Sequence, residues 1–157
     1  MLGVADPLWP RAGFAEVKRG ICRTTGQQVA VKIADKTHYQ SGDVSLQREV
    51  TTLCRVQHPN CLQLFECYVT TKKVYMVTEL VSGGQLLNRI VEGGLGEGYS
   101  AHIMRQVLQG IQYLHAQGIV HRDLKLENIV LLDNSRMPCV KIVDFGLSKC
   151  TSEDGQL

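Results

Sequence analysis

No stretch of this sequence approaches the roughly 20 apolar residues that a membrane-spanning helix requires. No run of like charge stands out either. Lys and Arg total 17 against 15 Asp and Glu, and a net charge of +2 is far too small to bind nucleic acid or a membrane surface by field alone. The six cysteines form no C-x-x-C pair, which leaves a zinc ribbon or a dithiol redox motif unsupported. Residues 1–13 contain Pro7, Trp9 and Pro10 but no long apolar core, so they do not form a secretory signal. The thiols are therefore expected to be reduced, in a cytoplasmic or nuclear setting. Leu2 occupies the position where N-myristoylation needs glycine. The sequence has no Walker A loop, no G-x-S-x-G elbow and no EF-hand loop.

What is present has ordinary globular composition, with 44% apolar and 20% charged residues. Residues 14–17 and 28–33 predict a hairpin turning at Thr25-Gly26, with Val29, Val31 and Ile33 alternating along its second strand. Leu46, Val50 and Leu53 recur at helical spacing and predict a helix over 45–56, which ends before Pro59. A second strand pair is expected at 62–69 and 73–80, giving about four strands around one helix. After Ser82-Gly83-Gly84 the texture changes. A short helix at 85–91 and a glycine-rich connector at 93–98 precede a long helix over 100–117, with Ser100 as its cap. The apolar stripe of that helix is Ile103, Met104, Val107, Leu108, Ile111 and Leu114. A small hairpin is expected from 129–132 and 140–143 around Asp133-Asn134-Ser135. The order is a mostly-strand half, a Gly-Gly hinge and a mostly-helical half, an α+β arrangement.

The run His121-Arg122-Asp123-Leu124-Lys125-Leu126-Glu127-Asn128 lies between the long helix and the small hairpin. Asp144-Phe145-Gly146 follows 16 residues beyond Asn128, just after that hairpin. Acid and amide groups on two adjacent loops can converge on a metal–phosphate site. Asn128 and Asp144 supply hard oxygen donors suited to magnesium. Asp123 can accept and orient the proton of an attacking hydroxyl, and Lys125 can neutralise a transferring phosphate. A lone H-R-D could be a chance triplet on a solvated loop; what argues against that is that Asn128 and Asp144 stand at the spacing of a family which these motifs resemble.

These motifs resemble the catalytic loop and metal-binding turn of eukaryotic protein kinases. Val29-Ala30-Val31-Lys32 is similar to the family's V-A-I-K strand, and Glu49 stands 17 residues beyond Lys32 on the first helix. The resemblance covers about residues 14–152. It implies a small antiparallel-sheet lobe and hinge over 14–81 and part of a mainly helical lobe over 82–157, preceded by an atypical segment at 1–13. It implies ATP and Mg2+ as cofactors, with Lys32 gripping phosphate and Glu49 as its ion-pair partner. Thr78 would stand at the back of the adenine pocket. Glu79 and Val81 would offer backbone groups to the base, and Val17, Ala30 and Val130 would sandwich it. Lys125 after H-R-D-L matches the serine/threonine type, so the implied partner is a protein bearing Ser or Thr. A small-molecule phosphotransferase of the same fold is a weaker reading, disfavoured by Lys125 and by the hinge.

Leu80-Val81-Ser82-Gly83-Gly84 and the stretch around Asp144-Phe145-Gly146 look like the calcium/calmodulin-dependent kinase group. Calmodulin is therefore a partner to consider for a longer parent, although no calmodulin-binding segment is seen. The sequence departs from the family in three places. Pro10, Ala12 and Ala15 occupy the three positions of the glycine-rich loop, and proline has no N–H to offer phosphate. The family's first strand is expected to be missing or replaced. Gln85 stands where the group has a glutamate touching ribose and basic substrate residues, which weakens a preference for arginine. The residues after Asp144-Phe145-Gly146 include no A-P-E, so a fragment ending just past D-F-G is expected, with the stripe of the long helix facing water. The alternative function is a non-catalytic fragment that at most binds nucleotide or a protein partner.

Overall fold

The structure is a computed structural model describing residues 2–7, 15–38 and 44–151. The chain divides into two compact units. One comprises Met1–Leu46 and Leu64–Leu80, and the other Gln47–Gln63 and Val81–Leu157.

The first unit is built on a five-stranded antiparallel sheet. Its strands are β1 (Leu2–Pro7), β2 (Ala15–Cys22), β3 (Gln28–Asp35), β4 (Leu64–Val69) and β5 (Lys73–Glu79), in the order β1-β2-β3-β5-β4. The β2–β3 hairpin turns at residues 23–27, where Gly26 takes a φ of 73° and its N–H closes the turn on the Cys22 carbonyl. Val29, Val31 and Val77 are buried together, with Ile33 and Tyr75 packed against them, so the period-two pattern of β3 does mark a core face. The expectation of about four strands is corrected to five, and of the two alternatives for the first strand, missing or replaced, its absence is ruled out. Residues 2–7 pair antiparallel with β2, matching Leu2 to Cys22 and Val4 to Gly20. An edge strand needs only backbone partners on one side, so it forms without any motif, and Pro7 is tolerated at its end.

Helix α1 (Ser45–Arg55) ends where expected, ahead of Pro59. In the second unit, α2 (Leu86–Gly93) is followed by α3 (Glu97–Ala116), the short strand β6 (Ile119–Val120), the hairpin β7 (Ile129–Leu131) and β8 (Val140–Ile142), and β9 (Lys149–Cys150), which pairs with β6. Ser100 does not cap α3. Gly96 is the N-cap, and the Ser100 N–H already makes the helical bond to the Gly96 carbonyl at 2.9 Å. Glu97 in the first turn complements the positive end of the helix dipole without a side-chain cap.

The stripe of α3 is divided. Ile103 and Val107 are buried with Leu86, Ile129, Leu131 and Val140 in one cluster, and Leu114 is buried elsewhere along the helix. Met104 and Leu108 are each 56% exposed. The expectation that the whole stripe faces water therefore fails, because the small hairpin covers half of it.

The Ser82-Gly83-Gly84 break has a specific cause. The Ser82 and Gly83 N–H groups donate to the carbonyls of Leu132 and Leu131, and Leu131 N–H returns to Gly84, which holds a φ of 82°. A Cβ on Gly83 would overlap the Asp133 and Leu131 carbonyls. Gly93 has nothing within 4 Å of such an atom. Gly83→Ala should therefore destabilise the fold by about 1–3 kcal/mol in urea titration. Gly93→Ala should be neutral or raise stability by up to about 1 kcal/mol.

Candidate active site

In the first unit, register gathers several of the predicted residues. Val17 pairs with Lys32 and Lys32 with Met76, while Ala30 pairs with Thr78. Directly paired residues share a face, so Val17, Ala30, Lys32 and Thr78 lie on one face of the sheet, opposite the Val29–Val31–Val77 core. Ala30 and Thr78 are buried, and Thr78 Oγ1 donates to the Glu79 carbonyl at 3.1 Å. Lys32 lies inside β3. Glu79 closes β5 opposite Val29. Ala15 is buried, whereas Pro10 and Ala12 of the expected phosphate clamp lie outside the described residues.

In the second unit, Glu49 is 7% exposed on α1, uncommon burial for a glutamate. Val81 is buried at the start of the segment bonded to β7, and Gln85 forms a bridge with Val130. The structure thus brings Val81, Gln85 and Val130 to one edge of the β7–β8 hairpin.

The same hairpin joins the two chemical loops. Asn128 and Val143 flank it, and the Val143 N–H donates to the Asn128 carbonyl at 3.0 Å. Asp144 is therefore delivered beside Asn128 by backbone geometry. The Asn128 amide spends both hydrogens on Asp123, donating to its carbonyl at 2.8 Å and to Oδ2 at 2.9 Å. That orientation leaves the amide oxygen as the atom to meet a cation. Lys125 Nζ lies 2.8 Å from the same Asp123 Oδ2.

His121 organises this loop, a role sequence reasoning did not give it although it stands within the motif. Its Nε2 lies 3.0 Å from the Val143 carbonyl, and its Nδ1 accepts the Asp123 N–H at 3.3 Å. A neutral ring protonated on Nε2 satisfies both contacts. The ring packs against Phe145, which is fully buried, with centroids 5.1 Å apart. Arg122 Nε donates to the Leu147 carbonyl at 2.7 Å. Arg122 and Asp144 both hold a φ of 65°, the only non-glycine residues at positive φ among those described. Each such residue carries about 1–3 kcal/mol of backbone strain, which surrounding contacts must sustain.

One carboxylate and one amide oxygen, from Asp144 and Asn128, are too few donors for a protein-only metal cage. Among the described residues no group of three or more His, Cys, Asp or Glu could hold a metal ion. Such a sparse set fits magnesium, which keeps waters and shares its coordination with substrate phosphates.

The hydrogen bond from Lys125 holds the Asp123 carboxyl below the usual carboxylate range, with the Asn128 amide adding to the effect. Asp123 in turn raises Lys125. With side chains 27% and 49% exposed, the pair is screened by water and makes a modest contribution to stability. The sign follows from these directions. Asp123 stays ionised at neutral pH, and its pairing is lost only as pH falls through its depressed pKa. Lys125→Met should move the Asp123 titration upward, toward the ordinary carboxylate value, in a carboxyl-carbon NMR titration. An unchanged midpoint would show that Lys125 does not set it.

Comparison with known proteins bears on the whole chain. The protein kinase domain family matches residues 11–157. Calcium/calmodulin-dependent protein kinase type 1 of Macrobrachium nipponense is 45% identical over 137 residues, covering 87% of this chain and 39% of that protein. RAD53, a serine/threonine-protein kinase of Saccharomyces cerevisiae, is 41% identical over 147 residues, covering 93% of this chain and 18% of its own length. The crystal structure of Rad53 1–466 in complex with AMP-PNP matches 92% of this chain and 39% of that one, with a TM-score of 0.86 and 39% identity. The chain spans 18% to 40% of the length of the curated relatives it matches. With a kinase family matching nearly its full length and the fold shared so closely, this chain belongs to the protein kinase domain family.

Proposed function

We propose that this chain carries the catalytic loop and nucleotide-binding elements of an ATP-dependent protein serine/threonine kinase. The observation that carries the reading is the convergence on one carboxylate. Asp123 Oδ2 is held by both Lys125 Nζ and the Asn128 amide, and Asn128 is tied through its carbonyl to the residue preceding Asp144. Asp123 orients the substrate hydroxyl and accepts its proton. Lys125, already beside that carboxylate, supports the transferring phosphate. Asn128 and Asp144 hold magnesium, which neutralises charge on the nucleotide phosphates.

We assign nucleotide contacts to Val17, Ala30, Lys32, Glu49, Thr78, Glu79, Val81, Gln85, Val130 and Asp144. The likeness to Rad53 solved with AMP-PNP supports nucleotide binding, and the serine/threonine kinase relatives support a protein hydroxyl as acceptor. The likeness to a calcium/calmodulin-dependent kinase supports calmodulin as a partner of a longer parent. Residues 14–81 are read as small lobe and hinge and 82–157 as part of the large lobe, in an intracellular protein. No helix among the described residues is long and apolar enough to cross a membrane.

A second reading is favoured by Pro10 and Ala12 at two positions of the glycine-rich loop. In it, the chain binds nucleotide or a protein partner without turnover, because a side chain or a missing N–H weakens the grip on phosphate. Two measurements on the 157-residue chain separate these readings. Mg-ATP should raise its thermal midpoint under the first reading, and under the second only where nucleotide is what the chain binds. Phosphate transfer to a Ser/Thr peptide should appear only under the first, and Asp123→Asn should lower that transfer by about 100-fold or more while preserving the thermal shift. Transfer at an unchanged rate in Asp123→Asn would remove Asp123 from its role.

A further inference from the structure

The Gln106 side chain on α3 ties three segments together. Its Oε1 accepts the Val140 N–H of β8 and an amide hydrogen of Asn60, both at 2.9 Å. A backbone N–H can only donate, so these contacts fix which end of the amide is oxygen. Nε2 then carries two hydrogens. One goes to the Pro138 carbonyl, in the connection between β7 and β8, at 3.2 Å. The other goes to His102 Nε2, one turn earlier on α3, at 2.8 Å. Proton counting settles the imidazole: its Nε2 accepts, so the ring is neutral and carries its hydrogen on Nδ1.

The same His102 Nε2 lies 3.1 Å from the Pro138 carbonyl. With Nε2 bare, that contact sets one lone pair against another. With Nε2 protonated it becomes a charge-assisted hydrogen bond, but two N–H groups then face each other across 2.8 Å. His102 can therefore satisfy Gln106 or Pro138, not both. We propose that His102 is a proton-driven switch, which on protonation exchanges Gln106 for Pro138 and withdraws the Gln106 side chain from β8 and from Asn60. The groups it would leave are buried, Val140 and Asn60 among them. Asn60 also donates to the Val140 carbonyl at 3.1 Å, and its own carbonyl accepts the Ile142 N–H at 2.9 Å. A Val140 N–H deprived of Gln106 has no water to turn to, so this end of β8 must shift.

Other titratable and charged groups surround the switch. Tyr99 and Arg105 stand within one turn of His102 on α3, and Arg136 is in the connection that reaches Pro138. Beyond Asn60 are Lys141 on β8 and His58, whose Nδ1 accepts the Asn60 N–H at 3.1 Å. Burial, and then Lys141, holds His58 below the usual histidine range, so its response has to be separated from that of His102. The switch stands on geometry alone. An effect on phosphate transfer rests on the kinase assignment, because the β7–β8 hairpin joins the two chemical loops.

NMR of the full chain tests this. At about pH 8 the His102 ring should be the Nδ1–H tautomer, and the Nε2–H tautomer there would sink the proposal. Between about pH 8 and about pH 5 the Gln106 side-chain amide and the Val140 N–H should move with the His102 ring at one shared midpoint. Protection of the Val140 amide from exchange should fall about tenfold over that range, as for loss of one buried hydrogen bond. His102→Gln offers Gln106 an acceptor that takes up no proton, so the Val140 response should vanish while its protection at neutral pH stays. His58→Asn keeps an acceptor for the Asn60 N–H without a titrating ring, and the Val140 response should persist. A response that survives His102→Gln, or disappears in His58→Asn, would assign the effect to His58 and overturn the switch. Gln106 and Val140 signals that stay fixed while His102 titrates would overturn it too. None of these readouts needs nucleotide, so the switch can fail while the kinase assignment stands.

Discussion

The hydrogen bond from the Val143 N–H to the Asn128 carbonyl closes the base of the β7–β8 hairpin, and the chemistry of the second unit is arranged around it. On one side, Asn128 reaches back with its amide to Asp123. On the other, Val143 hands the chain directly to Asp144. The two loops are 16 residues apart in sequence, yet they are held by a bond that needs no particular side chain. The hairpin itself rests on α3 through Ile103 and Val107, and its far edge receives the Gly83-Gly84 segment. Apolar packing places the hairpin, the hairpin places the loops, and the loops place the charges.

Within that frame the polar groups are used with little redundancy. Asn128 divides its amide hydrogens between the carbonyl and carboxylate of Asp123. His121 serves Val143 with one nitrogen and Asp123 with the other, while its ring covers Phe145. Asn60 shows the same economy below the hairpin, where its amide bonds Gln106 Oε1 at 2.9 Å and the Val140 carbonyl at 3.1 Å. Buried networks of this kind specify a single arrangement, because removing one member leaves another unsatisfied.

The sequence made most of this legible where a pattern was local. Alternation of Val29, Val31 and Ile33 announced β3, helical spacing announced α1 and α3, and the motif residues were read in place. It was less legible where contacts are long-range or made by backbone. The strand at Leu2–Pro7 carries no signature, since edge pairing depends on a neighbour and not on its own side chains. The start of α3 was missed because serine is the better cap by preference, while the helix begins at Gly96 with no side-chain cap. The stripe of α3 could be seen, but not which part the hairpin would cover. His102 and Pro138 lie 36 residues apart and match no motif, so nothing in the sequence pairs them.

Position 144 answers to two independent demands. One concerns the charge that its carboxylate brings to the loop, and the other the left-handed backbone between Val143 and Phe145, which are fixed on either side. Aspartate and asparagine meet the second demand at a lower cost than most residues with a side chain, and glycine meets it freely. Asparagine therefore separates charge from conformation, whereas alanine disturbs both together. A variant series at this position separates charge from backbone shape only along the asparagine branch, because that single step keeps the turn intact.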